Sequence, residues 1–209
     1  MGVLTPPRPQ LVDTAIKLRR QWCSTEMIDD DFRALAHALR VARKITQHLP
    51  DAAPDLIAAA LLHDVACFAP DGADLDAVLT EQLSPAVARI LRSMLHEGYT
   101  LVLALDAVEP LEFDISDPDA LVVSAADQIV TIGEILRQAR RAGDAKAFWG
   151  TRRQFIRRVP FDRTFAVAAE PHLPAALARE LVTVVGHAYE ATAAYRWPLP
   201  HPRRSRETS

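Results

Sequence analysis

At 209 residues, with 49% hydrophobic and 24% charged side chains and a net charge of −3, the chain can bury one substantial core and carries no global positive field for nucleic acid. Its two cysteines, Cys23 and Cys67, exclude a disulfide framework, and no apolar run approaches the roughly 20 residues needed to span a bilayer. The Met1 start has neither the basic region nor the apolar core of a secretory signal, so the expectation is a cytoplasmic protein with no membrane partner.

Pro6, Pro7 and Pro9 break up the first ten residues, and "PLPHPRRSRETS" closes the chain, so residues 1–10 and 198–209 read as tails around a folded unit of residues 11–197. Within it the periodicity is helical. Leu11, Ala15, Leu18 and Trp22 recur at helical spacing in a first helix, and "CSTEMIDDD" breaks it. A second helix begins near Asp30, with Ala34, Leu35, Ala38, Leu39, Val41, Ala42, Ile45 and Leu49 on one apolar arc and His37 at its border.

Pro54 suits the first turn of a third helix, in which "DLIAAALLHDVA" is apolar nearly all round, as expected of a buried helix. Asp74 can cap a short helix through Leu83, and Ser84 with Pro85 opens the next, which Gly98 can end. Leu101–Leu105 has strand propensity but no second strand to pair with, and is read as helix followed by loop. Asp117 and Pro118 open a long helix carrying Leu121, Ala125, Ile129, Ile132 and Leu136 on one side. One further helix holds Phe148, Trp149, Phe155 and Ile156, and a last one follows Pro174 with Leu177, Leu181, Val184, Val185, Ala188 and Tyr189 inward. The expected class is all-α.

The chemistry lies in "IAAALLHDVACFAP", residues 57–70, an apolar run with His63 and Asp64 in its middle. A carboxylate taken out of water needs compensation, and a cation is a strong compensator. Taken with "HALRVARKI" earlier and "SAADQI" later, the segment resembles the three signatures of the HD-domain metal-dependent phosphohydrolase superfamily, an all-α helical bundle whose pattern H…HD…D supplies metal ligands. The resemblance implies His37, His63, Asp64 and Asp127 as ligands, with Asp64 also the candidate catalytic residue. Two nitrogens and two oxygens brought from three helices form a borderline set that suits Mn2+, Fe2+ or Zn2+ more than Ca2+.

The order "HALRVA", "LLHD", "LSPAVARILRSMLH", "ALVVSAADQI", "GDAKAFW" is similar to the RelA/SpoT-type alarmone-hydrolase branch from about Phe32 to Phe155. That implies manganese-dependent cleavage of a nucleotide phosphoester or pyrophosphate, with guanosine polyphosphate as the suggested substrate. The branch carries an acidic pair where this chain has Cys67 and Phe68, and Lys and Asn where it has Ser124 and Thr131. Asp71 and Asp74 are the nearby acids that could replace the pair. A nucleotide phosphatase of a specialised pathway, and a degenerate protein that binds metal or nucleotide without turnover, are the alternative functions. The expected partner is a nucleotide or phosphorylated metabolite, and a homo-oligomer is left open.

Each residue also has a plainer reading. His37 alone could be a half-buried histidine on a backbone partner, Asp127 a surface acid of a long helix, and Cys67 a small apolar side chain. His96 could join a second metal site or simply sit at a helix C-terminus. His187 reads as packed in the last helix, and His48, His172 and His201 show no partner in the sequence. Lys44, one turn below Val41, and the run Arg152, Arg153, Arg157 and Arg158 could bind phosphate, with Lys44, Arg152 and Arg153 the candidates; charge runs are also common on solvated faces.

Overall fold

The computed structural model describes residues 3–23, 28–65, 69–70, 72–94 and 115–196, with side chains described at all of these except 23 and 28–33. The elements in chain order are α1 (Gln10–Cys23), α2 (Ile28–His48), α3 (Pro54–Leu62), α4 (Leu75–Gln82), α5 (residues 85–94), α6 (Pro118–Arg141), α7 (Ala145–Gly150), α8 (Arg153–Ala169) and α9 (Ala175–Ala191). Single 3-10 turns follow α8 and α9. Among the described residues there is no strand, so the all-α class holds. No described helix is long and apolar enough to cross a membrane.

Helix starts follow the polar residues that precede them. The Asp74 carboxylate accepts from the Ala77 amide at 3.1 Å, the Ser84 hydroxyl oxygen from Val87 at 3.2 Å, and Asp117 from the amides of Asp119 and Ala120 at 3.0 and 3.2 Å. Each satisfies amides that lack an intrahelical partner. Asp117 is further clasped by Arg89 of α5, which also pairs with Asp119.

The core runs through α3. All seven residues from Leu56 to Leu62 are buried, which explains why that helix shows no polar face. It packs against α1, whose Val12, Ala15 and Leu18 are buried, and against α2, whose Ala38, Val41, Ala42 and Ile45 are buried. The α2 helix also packs on α6, α6 on α9, and α9 on α8. The inward residues expected on α6, Leu121, Ala125, Ile129, Ile132 and Leu136, are all buried.

Two expectations are corrected. The helix expected to hold Phe148 through Ile156 is two helices, α7 and α8, separated at Thr151 and Arg152. The Arg152 guanidinium, 3.6 Å over the Phe148 ring, donates back to the Phe148 carbonyl, and Trp149 stacks on Phe155 across the break. Periodicity cannot register such a break, because the apolar spacing continues through it. The third helix does not continue through the His63-Asp64 pair but ends at Leu62, leaving both residues in the turn that follows. The Leu101–Leu105 helix, the Gly98 stop, His96, Cys67, Phe68, Asp71 and His201 lie outside the described residues.

Candidate metal centre

The end of α3 is where the site begins. A helix terminus leaves carbonyls unpaired. Here the His63 ring folds back so that Nδ1 donates to the Ala60 carbonyl at 2.9 Å, and Arg19 of α1 donates through Nη1 to the Leu61 carbonyl at 2.8 Å. The first of these bonds fixes the neutral tautomer: with the proton on Nδ1, Nε2 carries the lone pair and is the atom that takes a second proton when the ring is charged. That nitrogen lies 3.5 Å from Oδ1 of Asp127 on α6.

His37 arrives from α2, with Nε2 2.9 Å from the same carboxylate oxygen and its ring tilted 57° to that of His63 at 5.2 Å between centroids. Thr131, one turn along α6, donates its hydroxyl to Asp127 Oδ1 at 3.1 Å. Because α2, α3 and α6 pack on one another, three elements deliver two imidazoles and a carboxylate to one point. One ligand atom from each of His37, His63 and Asp127 lies within 4.8 Å of the others. Their side chains are 23%, 6% and 30% exposed, so the group opens to solvent at His37 and Asp127 and is closed behind His63.

Electrostatics in the cluster are strong. Burial alone raises the Asp127 carboxyl, but hydrogen bonds and charge from His37 and His63 hold it far below the ordinary carboxylate range. Burial alone lowers His63, yet the Asp127 hydrogen bond, the charges of Asp127 and Asp64 and the Ala60 carbonyl together raise it. A cation bound to Nε2 and Oδ1 would replace the proton these groups compete for, and a borderline N2O donor set of this kind fits a divalent first-row ion. The residues present therefore fit a metal.

Asp64 is not with them. Its carboxylate is gripped by both Nη atoms of Arg19, with Nη2 2.9 Å from Oδ2. Arg19 is 1% exposed and also donates to the Ala34 carbonyl at 3.1 Å, tying α1 to α2 as well as to the turn after α3. Burial would raise the Asp64 carboxyl; the Arg19 hydrogen bonds, the His63 charge and the Arg19 charge bring it below its usual value. The expected set of four thus divides into a group of three and an ion pair.

The basic residues expected at a phosphate do not gather here either. Lys44 donates to Glu180 of α9 at 2.8 Å, and His48, for which the sequence shows no partner, meets the other oxygen of the same carboxylate at 2.6 Å. Arg152 is spent on Phe148 and Gln138, Arg153 is exposed, and Arg158 pairs with Asp162 at 3.2 Å. His187, expected inside the last helix, is exposed and lines an open cavity of about 480 Å³ with Trp149, Arg140 and Glu190, which includes no residue of the cluster.

Two residues near the cluster carry no signal in the sequence. Thr131 stands out there only as a departure from a family pattern. Asp162 of α8 is 3% exposed; burial raises its carboxyl, Arg158 opposes this, and the charge of Asp127 adds to it, leaving it above the ordinary range. An acid once per turn after an arginine reads as a surface pair.

Fold and site together define an all-α protein with a two-histidine, one-carboxylate group where α2, α6 and the turn after α3 meet. Compared with protein-family models, curated proteins and solved structures, the chain matches none of them.

Proposed function

We propose that the protein is a cytoplasmic, metal-dependent phosphohydrolase of the HD type, acting on a nucleotide phosphoester or pyrophosphate. The observation that carries this reading is the meeting of His37, His63 and Asp127, which lie far apart in sequence and are three of the four positions of the H…HD…D pattern. A divalent cation there, with Mn2+ favoured and Fe2+ or Zn2+ as alternatives, supplies a Lewis acid for a phosphoryl oxygen and lowers the pKa of a bound water.

The chain's own residues supply the rest. The Ala60 carbonyl fixes the His63 tautomer, and Thr131 fixes the Asp127 rotamer through its hydroxyl. Guanosine polyphosphate is the substrate suggested by the sequence resemblance. A second reading, metal or nucleotide binding without turnover, is favoured by one observation: the Asp64 carboxylate is engaged by Arg19.

The test is a hydrolysis screen of the full chain, reconstituted with Mn2+, over guanosine polyphosphates and nucleoside mono- and triphosphates. Turnover that disappears in Asp127→Asn is the expected result. Pyrophosphate release identifies the alarmone-type reaction, and orthophosphate release a phosphatase. Ligand-induced thermal stabilisation with no product from any nucleotide would establish the binding protein instead.

A further inference from the structure

The open cavity beside the last helix is built from residues with no part in the candidate metal centre. It measures about 480 Å³, within the range of roughly 300–1,000 Å³ usual for small-molecule sites. The α6 helix supplies Leu136 and Arg140 to it, α7 supplies Trp149, and α9 supplies His187 and Glu190.

Trp149 is its rigid part. The indole is 4% exposed, edge-on to Phe148 at 4.9 Å between centroids and stacked on Phe155 at 6.0 Å, so its position is set before any ligand arrives. A tryptophan buried this deeply ordinarily pairs its ring N–H. Here Nε1 has no hydrogen-bond partner among the described residues, yet it is not sealed from solvent, and the cavity is where the ring meets the surface.

The charged groups around it are unpaired too. Arg140 and Glu190 line the same cavity but form no ion pair with each other or with another described residue, and His187 has no hydrogen-bond partner there. One cation, one anion and a free N–H over an apolar floor match a zwitterion with an apolar body. A guanidinium takes a carboxylate through two parallel bonds, and a carboxylate accepts from an ammonium. A ligand carrying only one of those charges gains one partner and meets a like charge beside it.

We propose that this cavity binds a free α-amino acid with a large apolar side chain. Arg140 and Trp149 Nε1 hold its carboxylate, Glu190 its ammonium, and Leu136 with the indole its side chain. The site is separate from His37, His63 and Asp127, so the proposal stands whether or not the chain hydrolyses a nucleotide.

Isothermal titration calorimetry of the full chain with L-phenylalanine and L-leucine tests this, beside hydrocinnamate and phenethylamine, each of which lacks one of the two charges. At least one amino acid is expected to bind, one per chain, with both analogues weaker than phenylalanine by about 10- to 100-fold, the size of a lost hydrogen bond to a charged group. Glu190→Gln is expected to remove the discrimination against hydrocinnamate, and Arg140→Gln that against phenethylamine. Both positions are exposed, so neither change threatens the fold. Trp149→Phe keeps an aromatic ring without the donor, and is expected to weaken binding and abolish the ligand-induced change in tryptophan emission. The proposal is overturned by no saturable binding of either amino acid at millimolar concentration, by binding that follows apolar character without regard to charge, or by binding unchanged in both charge variants.

Discussion

Replacing Asp64 with alanine is expected to lower the stability of the metal-free protein by about 3 kcal/mol, one of the larger losses available to a single polar substitution in this chain. The reason is what the change leaves behind. Arg19 is 1% exposed, and its two Nη atoms divide their hydrogen bonds between Asp64 and the carbonyls of Leu61 and Ala34. Without the carboxylate, the buried guanidinium loses both hydrogen bonds and the charge that Asp64 supplies. The side chain of Asp64 is 25% exposed, so water reaches the vacated position, which places the loss at the lower end of the range of roughly 3–5 kcal/mol for breaking buried pairs. Chemical denaturation followed by circular dichroism measures it. The double variant Arg19→Met/Asp64→Leu should recover most of the loss, since removing both charges strands neither. A metal-free Asp64→Ala protein within about 0.5 kcal/mol of wild type, inside the scatter of ordinary surface changes, would mean that the pair does not brace the fold.

How legible this was in the sequence varied with the range of the interaction. The caps at Asp74, Ser84 and Asp117 act within three residues, and each is found where the local pattern puts it. The buried character of α3 follows from an apolar run with no polar face. His37 sits at the border of an apolar arc on an amphipathic helix, which fixes the direction in which it points once the helices pack, whereas Asp127 is singled out only by the family resemblance. The role of Asp64 was not legible, because it depends on Arg19, 45 residues earlier on a helix whose inward face is otherwise apolar. In "KLRRQW" the spacing sets Arg19, four residues after Ala15 and three before Trp22, beside the apolar face and Arg20 opposite it, but names no partner for it. The same limit applies to Lys44, whose carboxylate partner Glu180 lies 136 residues away. Such pairings are set by how the helices dock, and periodicity carries no information on that.

The two halves of the site then answer to different forces. Arg19, Asp64, Ala60 and Leu61 settle the turn after α3 through hydrogen bonds of side chains to carbonyls and of Arg19 to Asp64, none of which involves Asp127 or His37. His37, His63 and Asp127 are held by mutual hydrogen bonding and charge, which an ion would replace. The first half is a preformed frame, and the second is the part that changes with occupancy.

That division predicts that the effect of pH on stability reverses when metal is added. In the metal-free protein the folded-state pKa of His63 is raised: burial lowers it, but the Asp127 hydrogen bond and the charges of Asp127 and Asp64 outweigh burial. A raised histidine contributes stability that is fully present below its unfolded value of about 6.5 and is lost as pH rises through the folded value. The depressed carboxyls of Asp127 and Asp64 contribute stability that is present above about 3.9 and is lost as pH falls through their folded values. The His63–Asp127 bond underlies both shifts, so its energy counts once. Metal-free protein should therefore be most stable between these limits and lose stability from about pH 6.5 upward. With saturating Mn2+ or Zn2+ the sign in that upper window inverts, because the ion requires the unprotonated Nε2 and protons compete with it as pH falls. Thermal unfolding of His63→Gln beside wild type, at steps between pH 5.5 and 8.5 with chelator and with metal, isolates the contribution. A wild-type melting temperature with the same pH slope in chelator and in saturating metal would count against an ion on His63, whatever its effect on activity.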